Sequence, residues 1–137
     1  MASRVRVQYG FFCEMTRQEV SGQITAIGLW GNQIRIQTLG PMIIPNLAFH
    51  AYVWNPDEEH LAAKATFKIP GLTQNPEFDL PLLPNIGMTG HNVVLALAGI
   101  PVPAPGEITL TLEIKCDPPI REEYKLEIQF FPPPTVS

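Results

Sequence analysis

The chain reads as an all-β protein: a two-sheet antiparallel β-sandwich, Ig-like, of about eight or nine strands. Three observations predict this class. Two runs near the C-terminus, "EITLTLEIK" and "YKLEIQF", alternate apolar and polar residues with period two, which gives a strand one dry face and one wet face. The 15 prolines and 10 glycines punctuate many other short apolar runs, the pattern of strands joined by turns. No segment carries convincing helical periodicity, and hydrophobic content of 45% against 16% charged argues against disorder. A length of 137 residues matches one domain, so 1–137 is expected to be a single sandwich with a closed barrel as the competing architecture.

The elements follow in chain order. In "RVRVQYGFF", Val5, Val7, Tyr9 and Phe11 share one face against Arg4, Arg6 and Gln8. "TRQEV" admits one helical turn or a bulge. "GQITAIGLWG" follows an expected turn at Ser21–Gly22, and "QIRIQ" is a short alternating strand. "NLAFHAYVW" and "HLAAKATFKI" are expected to form a hairpin around "NPDEE", whose Asn, Pro and Asp are turn formers. Its inward set is Leu47, Phe49, Ala51 and Val53 facing Leu61, Ala63, Ala65 and Phe67; His50, Tyr52 and Trp54 lie outward with His60, Ala62 and Lys64. "EFDLPLL" is an edge strand because of Pro81. "HNVVLALAG" is nearly all apolar and is expected centrally. "EITLTLEIK" turns Ile108, Leu110, Leu112 and Ile114 inward, and "YKLEIQF" turns Tyr124, Leu126, Ile128 and Phe130. The two runs either pair or face one another across the sandwich, and "CDPPIREE" between them cannot continue a strand. Residues 132–137, "PPPTVS", form an extended Pro-rich tail.

Charge and motifs exclude several function classes. The net charge is −4 and the nine basic residues are scattered, unlike the basic stripe of a nucleic-acid binder. No apolar run reaches the length of a membrane-spanning helix. The opening "MASRVRVQYGFFCEM" has no signal-peptide pattern, so a cytoplasmic location is expected.

The stretch "HAYVWNPDEEH" holds two histidines and three carboxylates. In a hairpin its histidines stand about 13 Å apart along the sheet, too far for one zinc. No metal, cofactor or catalytic group is therefore assigned. Asp57, Glu58 and Glu59 are expected to solubilise the turn, with His60 packing on Trp54. His50, Tyr52, Trp54 and His60 form a candidate partner surface, since surface aromatics mark contact sites.

Ser3, Ser21 and Ser137 sit at ends or turns, and there is no G-x-S-x-G elbow. Cys13, provided no bulge intervenes, and Cys116 fall in phase with apolar positions and read as core thiols, with a disulfide or a reactive role as alternatives. His91 reads as a loop or strand-start residue. "GLWGN" and "GIPVPAPG" contain glycines without the strand-to-helix setting of a phosphate loop.

The chain resembles a bacterial and phage family of small β-sandwich domains of unassigned activity. The likeness rests on "FFCEMTRQEVSGQITAIGLWG", "HAYVWNPDEEHLAAKATF", "LALAGIPVPAPGEITLTLEI" and "YKLEIQF". Gln23 stands where that family commonly has lysine, and Ile108 where it commonly has an aromatic residue. The resemblance implies a fold and a cytosolic setting, and no activity or catalytic residues.

The reading that follows is a non-enzymatic interaction or structural module. It would present a sheet face or an edge strand to a protein partner or to another copy of itself. A phage particle component is a special case. A small-ligand binder or enzyme using His60, His91 and nearby carboxylates is the alternative.

Overall fold

Alternation builds the strands, and where each strand lands follows from what its dry residues meet. The computed structural model describes residues 2–20, 24–29, 33–38, 40–83 and 89–132. Within them lie nine strands: β1 (Arg6–Gln18), β2 (Ile24–Leu29), β3 (Gln33–Gln37), β4 (Met42–Trp54), β5 (Leu61–Lys68), β6 (Glu77–Leu82), β7 (Gly90–Val102), β8 (Gly106–Lys115) and β9 (Ile120–Phe131). They make two sheets, ordered β2-β1-β4-β7 and β3-β9-β8-β5-β6. The arrangement is sandwich-like, and both sheets feed one apolar cluster. The turn expected at Ser21–Gly22, the "WGN" half of the glycine-bearing loop and residues 133–137 of the Pro-rich tail lie outside the described residues.

The C-terminal runs behave as their pattern dictates. Ile108, Leu110, Leu112 and Ile114 of β8 are buried, as are Leu126 and Ile128 of β9. The two strands pair antiparallel, with Leu110 opposite Tyr124 and Ile108 opposite Leu126. β5 turns Leu61, Ala63, Ala65 and Phe67 inward, and β4 turns in Leu47, Phe49, Ala51 and Val53. Each large apolar side chain buried this way contributes about 1.5–3 kcal/mol of transfer free energy. β6 takes an edge, where the missing donor of Pro81 is tolerated.

Four expectations are corrected. First, β4 and β5 do not form a hairpin. β4 pairs with β1 and β7, β5 with β6 and β8, and residues 55–60 cross from one sheet to the other. Second, β7 is not central but the edge of the four-stranded sheet. Third, "TRQEV" contains no helical turn; Thr16 to Gln18 extend β1 against β2. Fourth, the sheets are not wholly antiparallel, because the short β3 pairs with β9 in parallel.

The crossing after β4 is held by its own polar groups. Asn55 is buried, its Oδ1 accepts from the Glu59 N–H at 3.0 Å, and its Nδ2 donates to the Glu59 carbonyl at 2.8 Å. The turn carboxylates fasten the N-terminal segment. Glu59 accepts from the Ser3 hydroxyl at 2.6 Å, and Asp57 accepts from Arg4 Nε at 3.0 Å. The Arg4 guanidinium holds the Asp57 carboxyl below its usual range.

Candidate functional site

The candidate site is the outer face of the four-stranded sheet, and a single extra residue on β1 creates it. Val7 pairs with Val53 and Tyr9 with Tyr52, so Gln8 between them has no partner and the register shifts. Such a bulge reverses the phase of everything that follows. Tyr9 and Phe11 therefore do not continue the inward set of Val5 and Val7, as simple alternation predicts. They stand outward beside His50 and Tyr52, while Gly10 and Phe12 turn in. A Cβ on Gly10 would lie 2.7 Å from the Tyr124 ring and 2.8 Å from Phe49. Glycine at this position lets an aromatic from the opposite sheet reach β1.

The outward rings form a continuous group. Tyr9 lies 6.0 Å from Phe11 and 6.0 Å from Tyr52 between ring centroids, each pair within 15° of parallel. His50 presents its ring edgewise to both, 5.6 Å from Tyr9 and 5.3 Å from Phe11. The Arg6 guanidinium stands 4.5 Å over the Trp54 ring, a favourable cation–π geometry. Opposite Trp54 on β7 is Gly90, where a Cβ would come within 2.5 Å of the Tyr52 ring. Tyr9 remains 45% exposed and Met15, farther along the same strand, 42%.

His50 is the polar centre of this face and is only 5% exposed. Its Nε2 lies 3.0 Å from Asn92 Oδ1. With that oxygen accepting, the ring proton sits on Nε2 and Nδ1 carries a lone pair. Nδ1 is buried and has no hydrogen-bond partner among the described residues. An unmet buried polar nitrogen costs about 1–3 kcal/mol.

Of the predicted surface residues, the structure brings together His50, Tyr52 and Trp54 and leaves out His60. His60 is exposed at the end of the crossing, just before β5, and does not pack on Trp54 across a hairpin. Tyr9, Phe11, Arg6 and Asn92 belong to the face and were not predicted. Adjacent Phe11 and Phe12 already conflict with one alternating phase, and a glycine inside a strand is a known mark of a bulge.

The remaining reactive groups are dispersed. His91 pairs in register with Val53, a core residue, and so lies on the sheet side opposite His50. Its Nε2 lies 3.0 Å from Asn55 Nδ2. The amide donates, so this nitrogen is an acceptor and the ring is neutral; burial also pushes its pKa down. Cys13 and Cys116 are free thiols. Cys13 is buried, but the bulge places it on the outer side opposite Ala48, not in phase with Val5. Cys116 is only partly buried, which corrects its assignment to the core, and its Sγ donates to the Pro118 carbonyl at 3.2 Å. Burial raises the pKa of both thiols, which keeps them protonated and weakly nucleophilic.

Among the described residues no three of His, Cys, Asp and Glu gather as a metal site requires. An open hollow of about 460 Å³ beside β9 is lined by Arg35, Gly106, Glu127 and Phe131, without a histidine or cysteine. No helix among the described residues is long and apolar enough to cross a membrane.

No family model matches this chain, and no curated protein matches it.

Proposed function

We propose that this protein is a non-enzymatic interaction or structural module that engages a protein partner through the four-stranded sheet. The observation that carries the reading is the row Tyr9, Phe11, Tyr52 and Trp54, none of them fully buried, with a buried histidine packed against Tyr9 and Phe11. Aromatic residues and arginine are the side chains that dominate protein interfaces.

The finer topology is part of the same proposal: an Ig-like sandwich in which β4 and β7 take the places of strands B and E, and β5, β8 and β9 those of C, F and G. The β4–β7 pairing in one sheet and the β5–β8–β9 run in the other support it. The β1–β2 hairpin on one side and the absence of a D strand among the described residues are departures from that plan. A cytoplasmic setting also belongs here, supported by two unbridged thiols. The family resemblance supports the fold class and adds no chemistry. The phage-component reading is a special case of the same module.

The alternative of a ligand site using His60 and His91 has less support. His91 is tied to Asn55 on the inner side of its sheet, and His60 is exposed in the crossing before β5. The test is capture of partners from native extract by wild type, Tyr9→Ser and Trp54→Ala. Wild type should retain a partner that both folded variants lose. Identical capture by all three proteins would sink the aromatic face as the contact.

A further inference from the structure

We propose that the free edge of β7 pairs antiparallel with the β7 edge of a second copy, joining two four-stranded sheets into one continuous eight-stranded sheet. The inference deepens the interaction-module reading and rests on it. The first observation is a mismatch between sequence and position. Gly90 to Val102, "GHNVVLALAGIPV", contains no Asp, Glu, Lys or Arg. It reads as a strand covered on both sides and flanked by neighbours. Yet β7 ends its sheet, and among the described residues only β4 pairs with it. A second strand on the open side would give this sequence the central position it is written for.

The second observation is geometric. From Gly90 to Ala98, β7 follows β4 without a register shift, from Trp54 opposite Gly90 to Asn46 opposite Ala98. The buried phase then changes at Gly99, whose φ is +63°, and Pro101 lacks a donor. The straight stretch is thus nine residues, about 30 Å long. Its outer edge offers a row of backbone donors and acceptors, the template for strand addition.

The third observation is how the other edges are protected. β6 carries Glu77, Asp79 and Pro81. β3 is five residues long and carries Arg35. β2 is six residues long and is interrupted by Gly28 at φ +67°. Charge, proline, shortness and kinks are the devices that keep edges from pairing. The Gly90–Ala98 stretch has none of them.

The occupant is a second copy because the stretch is complementary to itself. An antiparallel two-fold pairing uses the full nine residues when it is centred on Val94. It then sets Val94 against Val94, Asn92 against Ala96 and Gly90 against Ala98 on the outer side, and Val93 against Leu95 on the inner. No charged pair forms although each copy carries a net −4. Asn92, Ala96 and Ala98 are exposed in the single chain, so their small side chains are free to be covered. Such a ladder supplies about eight to ten backbone hydrogen bonds.

The test is sedimentation velocity on the full chain over about 1–100 µM, with backbone hydrogen exchange at both ends of that range. Wild type should shift from monomer to dimer with concentration, and exchange should slow along residues 91–98. Val94→Lys sets like charges opposite one another at the two-fold and should weaken association at least about tenfold, or about 1.4 kcal/mol. Should that variant fail to fold, Ala96→Lys combined with Ala98→Lys changes only exposed positions and should do the same. A wild type that stays monomeric throughout, or a dimer indifferent to the folded lysine variants and protected elsewhere, overturns the proposal. The two readings separate cleanly. A monomer that still captures a partner through Tyr9 sinks only the self-pairing. A dimer whose capture is unchanged by Tyr9→Ser sinks only the aromatic face.

Discussion

The two sheets share one core, but their outer faces are opposites. On the five-stranded sheet, Asp79, Lys64, Glu113 and Arg121 lie side by side across four strands, alternating in sign. Lys64 also reaches Glu77 at 3.4 Å, and Arg121 reaches Glu123 at 3.4 Å. This is a solvated wall whose exposed ion pairs are each worth about 0–1 kcal/mol. On the four-stranded sheet the corresponding surface carries Tyr9, Phe11, Tyr52 and Trp54, with a buried histidine among them. A protein that needed only to fold could clothe both outer faces in alternating charge. The difference is what the proposed contact surface on the four-stranded sheet rests on.

The sharpest challenge to that contrast is Gly90→Ala. The new Cβ would stand 2.5 Å from the Tyr52 ring and 2.6 Å from the Val53 carbonyl oxygen. The backbone contact cannot swing away, so the expected cost is about 1–3 kcal/mol, read as a lower denaturant midpoint. A neutral result would mean that the aromatic group is loosely placed.

His50→Leu should have a smaller effect, within about 1 kcal/mol in either direction. It gives up the bond to Asn92, which is exposed and regains water, and it removes the unmet Nδ1. Chemical denaturation distinguishes this from a loss above about 3 kcal/mol, the size expected if the ring were a structural keystone. Smallest of all should be Lys64→Ala on the opposite wall, within about 0.5 kcal/mol of wild type in the same measurement. If Lys64→Ala proved costlier than Gly90→Ala, the charged wall and not the aromatic face would be the specialised surface.

Much of the fold was readable from alternation, and the clearest cases are β5, β8 and β9. Their inward residues, from Leu61 to Phe67, Ile108 to Ile114, and Leu126 with Ile128, are those the sequence pattern selects. The inward set of β4 was equally plain. At the candidate site, His50, Tyr52 and Trp54 were assigned outward correctly because they share β4's other phase. Simple alternation puts their companions Tyr9 and Phe11 on the wrong side, because the bulge is marked only by Gly10 and the adjacent Phe11 and Phe12 and not at Gln8 itself. His60 was joined to them only through a hairpin that does not exist. Asn55–Pro56–Asp57 is good turn chemistry, yet a turn also serves to carry the chain from one sheet to the other.

Residue order alone settled most of the strand content, though not that β9 begins at Ile120 inside "CDPPIREE", and with it the dry and wet sides of the regular strands and the scarcity of charge that marks β7. Those properties are local, because successive side chains on an extended backbone must point to opposite sides. Tertiary structure alone decided which strands are neighbours, that β7 is an edge, and that the first strand changes phase at Gln8. These depend on partners far along the chain: Gly10 turns inward to meet Phe49 and Tyr124, and that meeting leaves Tyr9 and Phe11 to surround His50.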